Sequence, residues 1–113
     1  MSREYRIHEY LKYMQIGCSD AISFVDGLTR DDFLSDVKTQ RAVVMSLMIV
    51  GEASSKLLAD FPEFTQQHPN IPWVSMRGMR NRIAHGYFEI DVGVVWQTVN
   101  ELPRLVNAIE ELT

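Results

Sequence analysis

Ile7-His8-Glu9-Tyr10-Leu11-Lys12-Tyr13-Met14-Gln15-Ile16-Gly17-Cys18-Ser19-Asp20-Ala21-Ile22-Ser23-Phe24-Val25-Asp26-Gly27-Leu28 carries its apolar residues at Ile7, Leu11, Met14, Cys18, Ala21, Val25 and Leu28. The steps alternate between four and three, which lays one apolar stripe along a helix of 3.6 residues per turn. Thr29-Arg30-Asp31-Asp32 then has the form of a capping box, with Asp in place of the usual Glu, and predicts a short helical turn at Phe33. Ser35 or Asp36 can cap a second long helix, which meets no proline until Pro62 and has Gly51 as its weak point. Within it Val43, Val44, Met45, Leu47, Met48, Ile49 and Val50 are apolar on every side. Such a helix is buried on more than one face, either at the centre of a monomeric bundle or against a second copy of the chain.

Pro62, Pro69 and Pro72 punctuate a connecting region, and Pro72 suits the first turn of a third helix, just after Asn70 and Ile71. That helix carries Trp73, Val74, Met76, Met79 and Ile83 and should stop at Gly86, read as a C-terminal glycine. Asp91 can cap a last helix striped by Val92, Val95, Val99, Leu102, Val106 and Ile109. Pro103 falls inside this stripe and should kink or briefly interrupt the helix. No alternating strand pattern extends beyond the scrap Tyr87–Ile90. The fold class expected is all-α, an up-and-down helical bundle formed by one domain over residues 1–113.

Composition narrows the function classes. The 113 residues include 11 basic and 15 acidic side chains, for a formal net charge of −4, so a wholly basic nucleic-acid-binding surface is excluded while a local basic patch is not. One cysteine, Cys18, excludes an internal disulfide framework and a cysteine-based metal cluster. The polar, mixed-charge start Met1-Ser2-Arg3-Glu4-Tyr5-Arg6 does not read as a signal peptide. The nearly apolar run Ala42–Val50 is shorter than the roughly 20 residues of a membrane span. The expectation is a soluble cytoplasmic domain that makes no membrane contact.

The chemistry concentrates in Met76-Arg77-Gly78-Met79-Arg80-Asn81-Arg82-Ile83-Ala84-His85-Gly86-Tyr87. No acidic residue lies between Glu63 and Glu89, so an acidic protein places Arg77, Arg80 and Arg82 beside one histidine. A cationic site with an imidazole suits an anionic substrate, phosphate above all. Arg77, Asn81 and His85 are four apart, drift about 40° per step and share a helix face. Arg80 lies about 140° round from His85. It therefore reaches a phosphate by its length or serves the site of a neighbouring subunit. Tyr87, past the helix stop, should hold its hydroxyl at the rim. As types, Tyr87, Phe88 and Trp73 read first as packing residues.

RNA cleavage without a metal needs a base for the 2′-hydroxyl, an acid for the leaving 5′-oxygen and a cation for the phosphorane. Histidine, with an ordinary pKa of roughly 6.5, suits the proton transfers, while arginine and an asparagine amide suit the charge. One protomer offers a single histidine here, because His8 and His68 sit elsewhere in the chain. A two-fold dimer would supply the second. The bland readings are a solvated arginine face and a histidine that only complements a helix C-terminus.

Arg80-Asn81-x-x-x-His85-x-Tyr87 resembles the R-N-x-x-x-H-x-Y signature of HepT-like proteins, members of the HEPN superfamily. Ile49-Val50-Gly51-Glu52-Ala53 resembles the family's I-x-G-E-A stretch, and Ile71-Pro72-Trp73 with Gly78-Met79-Arg80-Asn81 its I-P-W and G-M-R-N segments. Ile90-Asp91, Val95-Trp96 and Leu102-Pro103 resemble its I-D, V-W and L-P tail. The resemblance implies an α-helical homodimer, the toxin of a toxin–antitoxin pair, acting as a metal-independent endoribonuclease with no cofactor. It implies an RNA substrate and a cognate nucleotidyltransferase antitoxin of the MntA type that transfers AMP from ATP to the motif tyrosine. Carried over, Arg80 and His85 are the catalytic pair, with Asn81 orienting them or the phosphate. Tyr87 is the modified position, where AMP would block RNA entry with bulk and charge. Arg77 and Arg82 lie outside the signature letters and are assigned to RNA backbone binding. Glu52, a carboxylate in an apolar helix, is expected to be buried and paired with Arg77 or Arg80, first of all to hold the second helix to the motif helix and, in a reading that does not exclude this, to position the catalytic arginine. A rival reading is a non-catalytic HEPN partner subunit of a nucleotidyltransferase that presents a substrate or nucleotide. A blander one is a dimeric scaffold whose basic patch binds only the antitoxin.

Overall fold

The computed structural model describes residues 1–113 and contains helices only: α1 (Arg3–Phe24), α2 (Arg30–Leu34), α3 (Val37–Asp60), α4 (Pro62–Gln67), α5 (Trp73–His85) and α6 (Val92–Glu110), with a 3-10 turn at Tyr87–Glu89. Side-chain caps set most of the starts. Ser2 Oγ accepts from the Tyr5 amide at 3.1 Å. Thr29 and Asp32 satisfy each other's amides at 3.1 and 3.0 Å, the reciprocal box expected from sequence. Of the two candidates for α3, Asp36 is the cap, accepting from the Thr39 amide at 3.1 Å. Asp91 caps α6 through the Gly93 amide at 2.9 Å.

The long helices pack up and down. α1 and α3 run antiparallel, with Arg3 and Arg6 bonded to Glu63 and Asp60 at one end and Gly17 against Ser46 and Val50 further along. α5 returns antiparallel on the other side of α3, where Ser54 Oγ donates to the Trp73 carbonyl at 2.7 Å and Gly51 lies against Met76 and Arg80. α6 packs on α1, and its Trp96 meets Phe33 of α2 with ring centroids 5.4 Å apart. The core runs through all four: Leu11, Met14 and Cys18 from α1, Val43, Val50 and Leu57 from α3, Met76 and Ile83 from α5, and Val99 and Ile109 from α6. By length and composition α3 alone could cross a membrane, but half of its apolar window is buried against its neighbours.

Two glycines set how closely the helices approach. A Cβ on Gly17 would lie 2.8 Å from Val50 Cγ2 and 2.9 Å from the Ser46 carbonyl, and one on Gly51 would run into Arg80 Cβ and sit 2.7 Å from the Met76 carbonyl. Gly51, a weak point of α3 by helix propensity, is thus a close approach of α3 to the motif helix. Four expectations shift. The region between Pro62 and Pro72 contains a short helix, α4, with Pro62 in its first turn. Pro72 is the N-cap of α5 rather than a residue of its first turn. Gly86 ends α5 but has φ −149°, which is not left-handed; its bareness instead leaves 3.4 Å to the Arg82 carbonyl from where a Cβ would stand. α6 runs through Pro103 without interruption, because Val99, Leu102, Leu105 and Ile109 pin the turns on both sides to the core while Pro103 itself faces solvent.

Candidate functional site

α5 presents its residues in three sectors. Met76 and Ile83 are buried against α3 and the core. Helical geometry places Arg77, Asn81 and His85 together on the outward face, Arg80 at the border with α3, and Arg82 on the border toward α6. The anchor is at the start of the helix: Trp73 is 4% exposed, and its Nε1 donates to the His68 carbonyl at 3.0 Å. Trp73 is therefore the packing residue expected.

Because Gly51 lets the Arg80 backbone lie against α3, the neighbouring residue Glu52 can reach the guanidinium. Arg80 Nε donates to Glu52 Oε2 at 3.0 Å, and Arg80 Nη1 donates to Asn81 Oδ1 at 3.0 Å. Of the two partners considered for Glu52, Arg80 is the one it meets. The expected burial is not found: the Glu52 side chain is 48% exposed, because it stands on the one side of α3 that neither α1 nor α5 covers. The pair therefore carries no buried-charge cost, and as a partly exposed ion pair it adds about 0.2–1 kcal/mol to stability. Its larger effect is geometric. Together with the Asn81 contact it fixes two of the three nitrogens of a long side chain, one of them against the Arg77–Asn81–His85 face.

His85 is the last residue of α5 and is exposed, as are Asn81 and Arg82; Arg77 is half-buried. Arg80 reaches Asn81, one turn before His85, rather than the imidazole. Neither Arg77 nor Arg82 takes part in an ion pair. Tyr87 follows in the 3-10 turn, 42% exposed, with its ring edge-on to Phe88 at 5.9 Å. Phe88 is wholly exposed, so it is not the packing residue its type suggests; the turn after Gly86 swings it off the bundle. His8 lies exposed on α1, and His68 is half-buried against Phe64 with ring centroids 4.8 Å apart, so neither joins this site. Nowhere do three or more His, Cys, Asp or Glu side chains converge as metal ligands would.

One feature escaped sequence reading. α5 and α6 do not pack closely, and between their facing ends a cavity of about 450 Å³ opens beside His85. Met79, Ile83, Ile90, Val94 and Val95 form its apolar lining, and Arg82, His85, Glu89 and Asp91 its polar part. Periodicity gives the face of each helix but not the gap between two of them. Glu89, in the non-periodic turn, carried no signal.

The antiparallel helical bundle, consistent with a HEPN-type fold, sets an arginine, an asparagine and a histidine on one helix end, with a tyrosine just beyond. Residues 14–112 match the family model described as "Ribonuclease HepT-like". The chain is 43% identical over 99 residues to the "Probable ribonuclease HepT" of Thermococcus cleftensis, covering 83% of this chain and 87% of that one. It is 39% identical over 94 residues to a "Putative RNase" of Methanocaldococcus jannaschii, covering 82% and 75% respectively. A "Putative RNase" of Caldanaerobacter subterraneus subsp. tengcongensis is 35% identical over 104 residues, covering 91% and 90%. No solved structure gives a significant match. The chain belongs to the HepT-like ribonuclease family.

Proposed function

We propose that this chain is a metal-independent endoribonuclease, the cytoplasmic toxin of a toxin–antitoxin pair, acting as a homodimer. The observation that carries the reading is the chain of contacts Glu52–Arg80–Asn81, which orders a guanidinium along the face that ends in His85. In the reaction the RNA 2′-hydroxyl gives its proton to one imidazole and its oxygen attacks the adjacent phosphorus. The bond from phosphorus to the 5′-oxygen breaks, and the leaving oxygen takes a proton from the His85 of a second protomer. Arg80, with the Asn81 amide, neutralises the charge that builds on the phosphorane. Arg77 and Arg82, free of ion pairs, hold the flanking phosphates. The second copy sits over the outer side of α3. There Met45 and Ile49 are exposed, at 62% and 38%, and their face continues through Glu52 onto the Arg77–Asn81 side of α5.

Tyr87 is the control point in this reading. Its exposed ring two residues beyond His85 is open to a nucleotidyltransferase of the MntA type, and an adenylate there would stand in the path of the RNA. The test of activity is incubation of purified protein with labelled RNA in EDTA. His85→Ala and Arg80→Ala should each lower cleavage by about 10²-fold or more with an unchanged circular dichroism spectrum. Undiminished cleavage by both variants would refute the assignment. A parent protein that binds RNA but never cuts it would favour the non-catalytic partner-subunit reading. Coexpression with the nucleotidyltransferase should add adenylate to the Tyr87 peptide and none to the same peptide carrying Tyr87→Phe.

A further inference from the structure

We propose that the cavity between α5 and α6 is a nucleobase subsite, and that Glu89 makes it select guanine at the nucleotide next to the cleaved bond. The inference rests on the ribonuclease reading and deepens it from RNA in general to a base. His85 forms part of the cavity wall, so whatever enters lies beside the reacting phosphate. At about 450 Å³ the space holds one base with its sugar. The lining is apolar, from Met79, Ile83, Ile90, Val94 and Val95, which suits the face of an unstacked base and not a phosphate.

The rim decides which base. Two carboxylates stand where an RNA-binding surface would be expected to be cationic. Asp91 is committed to the cap of α6 through the Gly93 and Val94 amides. Glu89 has no ion-pair partner, and its Oε2 lies only 3.9 Å from where a Cβ on Gly86 would stand, so it leans back toward Gly86 at the cavity that His85 also lines. An ionised carboxylate repels the RNA backbone and accepts hydrogen bonds without donating any. Guanine alone offers two adjacent donors on its Watson–Crick edge, N1–H and the 2-amino group, at a spacing that a carboxylate accepts in parallel. Adenine and cytosine each place an acceptor beside their amino group, and uracil sets one N–H between two carbonyls. Those acceptors would face the carboxylate unpaired, which is how a site made for two donors rejects the rest. Arg82, also free of an ion pair, lines the same cavity and can take a phosphate of the bound nucleotide.

The experiment uses single-stranded RNA oligonucleotides that differ at one position, carrying guanine, inosine, adenine, cytosine or uracil, with cleavage sites mapped by sequencing gel. The parent should cut next to guanine at least tenfold faster than next to adenine or uracil. Inosine, which lacks the 2-amino group, should fall between. Glu89→Gln replaces one acceptor oxygen by a donor and should bring the guanine-to-adenine rate ratio down about tenfold. Glu111→Gln, beyond the far end of α6, should leave the ratio at the parent's value. A parent that cuts without regard to the neighbouring base, or a Glu89→Gln variant with the parent's ratio, overturns the subsite and leaves the ribonuclease standing. A parent that cuts none of the oligonucleotides removes the ribonuclease reading and the subsite with it.

Discussion

Arg80 shows what one residue's neighbours do to its chemistry. A free arginine side chain samples many rotamers, and here Glu52 on one side and Asn81 on the other hold it at 3.0 Å each. Glu52→Gln keeps the shape and removes the charge. It should change the unfolding free energy by less than about 1 kcal/mol, as befits a half-exposed pair, yet lower kcat for RNA cleavage about tenfold, because the guanidinium is then free to turn away. A parallel loss of stability and kcat would instead assign Glu52 a structural part alone. The shared face of Asn81 and His85 was legible because one helix fixes their spacing, whereas Tyr87 lies in the turn beyond it. The pairing with Glu52 was legible only as a choice between two arginines, since it depends on how closely α3 approaches α5. Cys18 is the opposite kind of residue. It is wholly buried in α1, and burial pushes its thiol up to about 12. At neutral pH it should react with a disulfide reagent only on global unfolding, so labelling with and without urea should differ by orders of magnitude.

Helix ends and helix crossings carry the next set of expectations. Gly51→Ala places a methyl group against Arg80 Cβ and 2.7 Å from the Met76 carbonyl. It should destabilise the fold by about 1–3 kcal/mol and lower cleavage by more than that loss explains, because α5 must move away from Glu52. Gly78→Ala is the matched control: its methyl would meet only the tip of Arg82 at 3.7 Å, and it should stabilise α5 by about 0.5–1 kcal/mol. At the start of α3 the Thr39 hydroxyl and amide both donate to Asp36 and hold its carboxyl below the usual aspartate range. The unfolded chain therefore binds that proton more readily, and stability rises with pH there. The contribution is whole above the unfolded aspartate value and is lost as the pH falls through the lower, folded one. Asp36→Asn can still cap but cannot titrate, so its urea midpoint should fall less steeply than the parent's on acidification. Caps of this kind were legible because they are local, as were the four long stripes. α4 was not legible, since six residues are too few for a period, nor was the unbroken passage of α6 through Pro103, which tertiary packing decides.

The whole molecule has more apolar surface than its own bundle covers. Val43–Val50 reads as apolar on every side, and the bundle accounts for the inner ones: Val43, Val44, Leu47 and Val50 are buried, whereas Met45 and Ile49 face outward on α3. Tyr13 and Ile16 of α1 add to the same flank, at 49% and 44% exposure. This flank runs into Glu52 and from there to the arginines of α5, so the surface that would attract a second copy is also the surface that would bring its imidazole to this one. An acid and a base are both needed for the cleavage proposed, and one protomer supplies a single histidine on that face. Stability and activity should therefore respond together to assembly. The parent should elute near twice 13.0 kDa on gel filtration. Met45→Glu with Ile49→Glu sets like charges opposite each other across a two-fold axis, and should yield a folded monomer with RNA cleavage lost. Mixing inactive His85→Ala with inactive Arg80→Ala protein should restore no activity, because each heterodimer keeps only one of the two imidazoles that the cleavage needs. A monomeric double variant that cuts RNA as fast as the parent would show that one histidine suffices and that the apolar flank serves another end.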